Sequence, residues 1–217
     1  MQIPSIDAYP MPAEQILPSD TARWELDARR CVLLIHDMQN YFLDMFPAGR
    51  EPVTTLVQNV VRLRDGCRAA GVPVAYTAQP GGMTDEQRGL LHEFWGPGMS
   101  KDPAVRAIVD PLTPEDGDQV FTKWRYSAFH RTGLLDFLRG HKRDQLIVCG
   151  VYAHIGCLIT ATDAYSHDIQ PFLAADALAD FSAEHHRMAL EYASSCCSVT
   201  ASTDSLLRAL SLARAGR

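Results

Sequence analysis

The sequence predicts a single three-layer α/β domain with a mostly parallel sheet of about six strands flanked by helices. Three observations predict it. Continuous apolar runs such as Cys31-Val32-Leu33-Leu34-Ile35 and Leu146-Ile147-Val148-Cys149-Gly150-Val151 have the pattern of strands buried on both faces. Segments of helical periodicity alternate with these runs. The length, 217 residues, suits one domain.

Residues 1–30 are Pro-rich and polar and read as an arm that wraps the surface before the domain at 31–217. The first strand covers Cys31 to Ile35 and ends at His36-Asp37. From Val53 to Ala70, the residues Leu56, Val57, Val60, Val61 and Leu63 recur at helical spacing, and Gly71 supplies a stop. Val72 to Thr77 is a second strand. Leu146 to Val151 is a third strong one, and Gln170 to Ala174 a fourth. Weaker strands are expected at Gln119–Phe121 and Ser198–Ala201. Helical patterns fill Leu158–Tyr165, Glu184–Ser194 and Ser205–Ala215. Strands that alternate with helices imply right-handed crossovers, and ligands of such sheets bind at the carboxyl ends of the strands. His36-Asp37, Gln79-Pro80, Lys123 and the turn Tyr152-Ala153-His154-Ile155-Gly156-Cys157 follow four of the strands.

Composition narrows the partners. The formal charge is −6 and no basic block occurs, which argues against nucleic acid. No apolar run approaches the ~18 residues of a membrane span. Met1 to Pro18 has no basic segment ahead of an apolar stretch, so no secretory signal is read there and a cytoplasmic setting is expected. The six cysteines form no C-x-x-C pair and are expected to stay reduced. Cysteines and histidines do not come in close ligand pairs, so no metal is expected. No nucleotide or flavin motif occurs, and no cofactor is expected.

Asp37 ends an apolar strand, where it is either a solvated turn residue or a functional acid. Lys123 lies among aromatics in Thr122-Lys123-Trp124-Arg125-Tyr126, which points to partial burial. A buried Asp and Lys need each other, and such a pair serves structure or function. Cys157, in a turn that opens a helix, is either an activated thiolate or a small buried residue. His36 precedes the acid, points to the opposite face of the strand and reads as a core histidine. His154 is expected to satisfy backbone groups of its turn, and His185 and His186 to be structural or surface residues. Asp176 and Asp180 are placed in a loop that caps a helix starting near Ala183. Trp95-Gly96-Pro97-Gly98 shape a loop over the site.

Five blocks then carry a family resemblance. They are Leu34-Ile35-His36-Asp37-Met38-Gln39-Asn40-Tyr41-Phe42, Tyr76-Thr77-Ala78-Gln79-Pro80, Phe94-Trp95-Gly96-Pro97-Gly98, Lys123-Trp124-Arg125-Tyr126-Ser127-Ala128-Phe129 and Gly150-Val151-Tyr152-Ala153-His154-Ile155-Gly156-Cys157. In this order the chain is similar to the isochorismatase-like hydrolases, from Ile3 onward. The resemblance implies an α/β fold with a parallel sheet. The cysteine amidohydrolases of the wider family use an Asp, a Lys and a Cys. By position these fall on Asp37, Lys123 and Gly156, so the thiol is missing. Cys157 is one place later, turned by about 100° on a helix, and is expected to face away.

The resemblance is therefore to the vinyl-ether-hydrolase branch. It implies cleavage of an enolpyruvyl ether on a dianionic, chorismate-derived cyclohexadiene. One such substrate is 2-amino-2-deoxyisochorismate, giving pyruvate and trans-2,3-dihydro-3-hydroxyanthranilate on the way to phenazines. The other is isochorismate, in siderophore biosynthesis. Asp163–Phe172 and His185–Tyr192 look more like the first group. In the implied roles, Asp37 is the acid and Lys123 holds it and a substrate carboxylate. Gln79 and Arg88 bind carboxylate oxygens. Tyr152 orients a carboxylate, and Gly156 offers its N–H and leaves space for the ring. Phe42, Trp95 and Tyr126 wall the pocket. A non-proline cis peptide near Val151-Tyr152 and a homodimer are also implied, and with the sequence ending at Arg217 no aryl carrier domain is expected. A Cys157-dependent amidohydrolase and an inactive binding module are the rival readings. Gly156 speaks against the first, and Asp37 with Lys123 against the second.

Overall fold

The computed structural model describes residues 3–215. Six strands form one sheet: β1 (Cys31–His36), β2 (Val74–Ala78), β3 (Gln119–Thr122), β4 (Gln145–Val151), β5 (Gln170–Ala179) and β6 (Val199–Ala201). Their order is β3-β2-β1-β4-β5-β6, and every pairing is parallel. The strand order reverses between β1 and β4. Such a switch point opens a crevice at the carboxyl ends of the two strands. Asp37 follows β1 there, and the turn after Val151 follows β4.

The apolar runs are buried on both faces, as their composition requires. Leu33 and Ile35 of β1 join a core with Leu56, Val60 and Leu63 of the helix Val53–Ala69. Val32 and Leu34 join the opposite core with Leu138, Ala161, Ala189 and Leu190. This is the period-two alternation of a strand covered by helices on both sides. Helices Leu158–Ser166, Ala183–Cys196 and Thr203–Ala215 match the three periodic segments read from the sequence. The helix Leu134–Gly140 and the short helices Asp85–Arg88 and Leu91–Trp95 were not anticipated. They are too short for periodicity to reveal.

Two expectations need correction. β5 runs on to Ala179, so Asp176 lies inside a strand rather than in a loop. Its carboxylate accepts from Thr203 N at 2.6 Å and Thr203 Oγ1 at 2.7 Å, at the start of the last helix. This long-range satisfaction lets a strand carry an Asp. The loop that follows does cap the helix at Ala183 as expected, though not through Asp180. Ser182 is the cap, accepting from His185 N at 3.2 Å. The N-terminal arm is also more than a surface wrap. Ile6 and Tyr9 are buried, and Tyr9 Oη accepts from Asp180 N at 2.7 Å and meets His186 Nδ1 at 3.2 Å. His186 is wholly buried, while His185 lies on the exposed side of its helix.

Candidate active site

Asp37 leaves β1 with φ 51°, in the left-handed region that Asp tolerates better than most residues. Its N–H donates to Thr77 O at 3.2 Å, which continues the ladder with β2. Its carboxylate is saturated from three directions. Oδ1 accepts from Thr77 Oγ1 at 2.6 Å, and Oδ2 from Lys123 Nζ at 2.7 Å and Gln79 Nε2 at 3.3 Å. Lys123 directly follows β3 and is tied to the end of β2 through its N–H, which donates to Ala78 O at 3.0 Å. Gln39 clamps Gln79 by a reciprocal pair, Gln79 N to Gln39 Oε1 at 2.8 Å and Gln39 Nε2 to Gln79 O at 3.0 Å. Three neighbouring strand ends thus converge on one carboxylate.

Asp37 and Lys123 are only 3% and 2% exposed, so their pairing is a buried one. Burial works to raise the Asp37 carboxyl. The Lys123 charge, His36 and the hydrogen bonds from Lys123 and Thr77 together outweigh it and hold the carboxyl below its ordinary range. Asp37 is therefore ionised in the free protein at neutral pH.

The sequence placed His36 on the opposite face from the site. The structure buries it completely, as a core histidine, but beside the acid. Its Nδ1 lies 3.8 Å from Asp37 Oδ2 and 2.8 Å from Val151 O. The physical reason is the left-handed turn at Asp37, which ends the strict alternation of the strand. Burial lowers the imidazole to about 4, so it is neutral at pH 7.

The turn after β4 carries the expected cis bond between Val151 and Tyr152. Residues Ala153–Cys157 form a π turn, closed by Cys157 N donating to Tyr152 O at 3.2 Å, before the α-helix begins at Leu158. Gly156 faces the pocket. The expected vacancy beside it is filled from behind, because a β-carbon at 156 would collide with Cε1 of His36. Cys157 is fully buried and packs in the core layer that contains Ala153 and Ala161. Burial pushes its thiol well above the ordinary range, so it does not supply a thiolate. Cys157→Ala is expected to keep full turnover, and iodoacetamide to leave the wild-type rate intact; loss of activity in either assay would contradict this placement.

One pocket is lined by all nine residues singled out from the sequence: Asp37, Phe42, Gln79, Arg88, Trp95, Lys123, Tyr126, Tyr152 and Gly156. Arg88 is buried, and it donates from Nε to Gly96 O at 2.8 Å. Burial draws its guanidinium below the usual value, and among the described residues it pairs with no carboxylate. A buried unpaired guanidinium is costly, so an anionic ligand would relieve it. The Tyr152 hydroxyl donates to Phe42 O at 2.8 Å, so the pocket meets its ring rather than a free phenol. Trp95 Nε1 donates to Tyr126 Oη at 2.8 Å and joins two walls. Among the described residues no three His, Cys, Asp or Glu side chains gather as a metal site.

Ile3, Tyr41, Leu91, Val151, Ile155 and Phe181 also line the pocket and were missed. Tyr41 lies within the first quoted block, next to Phe42, and that adjacency is the signal that could have found it. Ile3 and Phe181 arrive from distant parts of the chain and carry no local signal. Phe181 packs against Tyr152 with centroids 4.6 Å apart. It is anchored by Asp180, which also takes His154 N and Nδ1, each at 2.6 Å. His154 thus does more than satisfy its own turn.

Comparison with known proteins agrees with this geometry. The isochorismatase domain model matches residues 31–205. The phenazine biosynthesis protein PhzD1 of Pseudomonas aeruginosa is 58% identical over 205 residues, covering 94% of this chain and 98% of that protein. The isochorismatase of Bacillus subtilis is 54% identical, covering 95% of this chain and 66% of that protein. Enterobactin synthase component B of Escherichia coli is 47% identical, covering 88% and 67%. Among solved structures, a cysteine hydrolase from Pseudomonas syringae pv. phaseolicola superposes with a TM-score of 0.81 at 23% identity, covering 90% of this chain and 98% of its own. That likeness establishes the fold.

Proposed function

The chain belongs to the isochorismatase family, and from that premise we propose that it is a hydrolase of enolpyruvyl vinyl ethers with Asp37 as its acid. The observation that carries the proposal is the buried Asp37–Lys123 pair on the floor of a pocket whose Arg88 has no anionic partner among the described residues. The preferred substrate is 2-amino-2-deoxyisochorismate, cleaved to pyruvate and trans-2,3-dihydro-3-hydroxyanthranilate. Identity of 58% along 98% of a phenazine biosynthesis protein supports it. The second reading is isochorismate, supported by the 54% and 47% identical relatives.

The chemistry follows from the ether. Protonation of the terminal methylene carbon by Asp37 leaves an oxocarbenium ion. Water adds to the cationic carbon that bears the ether oxygen and the carboxylate, and gives up a proton to the Asp37 carboxylate. The hemiketal then collapses to pyruvate and the ring alcohol. No covalent bond to the protein forms, which suits a site with glycine at 156. The acid must first be loaded, although Lys123 keeps Asp37 ionised in the free protein. A dianionic substrate resolves this. Its carboxylates engage Lys123 and Arg88, weaken the hold of Lys123 on Asp37 and raise the carboxyl in the complex. Gln79 orients the substrate beside the acid, and Phe42, Trp95, Tyr126 and Tyr152 exclude water around it.

Two further features belong to the proposal: a homodimeric assembly, which sedimentation would test, and a cytoplasmic setting that keeps the thiols reduced. In the structure, no described helix is long and apolar enough to cross a membrane.

Pyruvate release coupled to lactate dehydrogenase, with the two substrates side by side, tests the reading. Turnover of either establishes the reaction, and the ratio of kcat/KM values selects the substrate. A folded sample that releases no pyruvate from either refutes it. Arg88→Met is expected to raise KM roughly tenfold to a hundredfold, the loss of charge-assisted bonds of about 1.5–3 kcal/mol, with a smaller change in kcat. An unchanged KM would remove Arg88 from the carboxylate site.

A further inference from the structure

We infer that His36 is a positioning residue of this site, and that Gly156 is its steric complement rather than an empty place for substrate. The inference deepens the vinyl-ether reading and rests on it for its kinetic arm.

β4 approaches the backbone of His36 closely, and two features at its end are shaped around the ring. Gly150 stands opposite His36 in the ladder with β1, and a β-carbon there would collide with the His36 carbonyl. Val151 O receives the imidazole at 2.8 Å through Nδ1. A β-carbon at Gly156 would collide with Cε1 and lie 3.0 Å from Nε2. The ring is thus wedged between the strand that delivers the acid and the turn that lines the pocket.

The ring's chemistry fits this role. A carbonyl partner requires the proton on Nδ1, and a neutral imidazole then leaves Nε2 as a bare lone pair. Nε2 is buried without a hydrogen-bond partner among the described residues. A residue kept only to satisfy the core would place its polar atom against a donor. Here the ring instead sets a spacing. Its volume separates Asp37 from the turn that carries Gly156 and fixes the acid relative to a substrate resting on that glycine.

A double-substitution cycle tests this. His36→Asn puts an amide N–H near the place of Nδ1 and keeps a donor for Val151, but removes Cε1 and Nε2. Gly156→Ala adds only the colliding methyl. In the His36 protein, Gly156→Ala is expected to lower Tm clearly. In the His36→Asn protein it is expected to be neutral or stabilising. For pyruvate release, His36→Asn is expected to lower kcat by about tenfold to a hundredfold with little change in KM, the loss that accompanies a misplacement of order 1 Å. A role in packing alone would leave kcat of the folded variant unchanged.

An equal effect of Gly156→Ala in both backgrounds overturns the inference, and so does an unaltered kcat in His36→Asn. If Gly156→Ala does not fold alone, recovery of folding in the double variant is the supporting result and its absence the refuting one. His36→Val gives a second background for the same comparison should His36→Asn not fold. Failure of the wild-type protein to release pyruvate would sink the functional reading, while the stability cycle still judges the His36–Gly156 pair by itself.

Discussion

Asp37→Asn is expected to remove most of the pyruvate release while leaving ligand binding intact. The amide is nearly isosteric and retains an acceptor for Thr77, which donates to Asp37 Oδ1 at 2.6 Å in the wild-type protein. It carries no transferable proton, so kcat should fall by roughly 10²–10⁴, the usual worth of a general acid. The same change leaves a buried Lys123 without its anion. The free variant should therefore melt at a lower temperature. A dianionic, non-hydrolysable analogue supplies the missing charge and should restore more stability to the variant than to the wild-type protein. Calorimetry with that analogue and steady-state kinetics check both halves. A kcat within tenfold of wild type would exclude Asp37 as the acid.

Lys123→Met should have the largest effect on folding. It keeps the aliphatic volume and strips the counter-charge from a carboxylate that is 3% exposed. Breaking a buried pair in this way costs about 3–5 kcal/mol. The sign of the pH dependence follows from the direction of the Asp37 shift. In the wild-type protein that carboxyl is depressed. Its contribution is therefore fully present above the unfolded value of about 3.9 and is lost as pH falls through the lower folded value. In Lys123→Met the balance reverses, because burial then dominates and raises the carboxyl. Acid should thus relieve the variant by neutralising the buried charge. Urea denaturation at pH 7.5 and pH 5 should show a smaller stability gap between the two proteins at the lower pH. A gap independent of pH would mean that Asp37 is not the group Lys123 stabilises. Turnover should be lost as well, since the variant lacks a partner for a substrate carboxylate.

Both predictions concern residues whose importance is visible in one dimension. Asp37, Gln79 and Lys123 each follow a strand, and a parallel sheet brings strand ends together. The aromatic neighbours of Lys123 announced its burial. Arg88 was singled out by resemblance alone, and its lack of a carboxylate partner became apparent only in the fold. Asp176 shows the opposite failure. A carboxylate in an otherwise apolar run reads as the end of a strand, yet Thr203 satisfies it from 27 residues away and the strand continues.

What the sequence by itself determined is the set of elements and the residues at their ends. Apolar runs, helical periodicity and stop residues are local, and each acts through backbone geometry that a few neighbours dictate. Only the tertiary structure decided which groups meet. The reversal of strand order between β1 and β4 set the turn containing Gly156 against His36, and the left-handed backbone at Asp37, just past the ladder that still holds His36, set the carboxylate beside the imidazole. Ile3 and Phe181 were added to the wall by the same long-range packing. Contacts of this kind join residues far apart in the chain. They depend on sheet order and side-chain volume together, which no local pattern encodes.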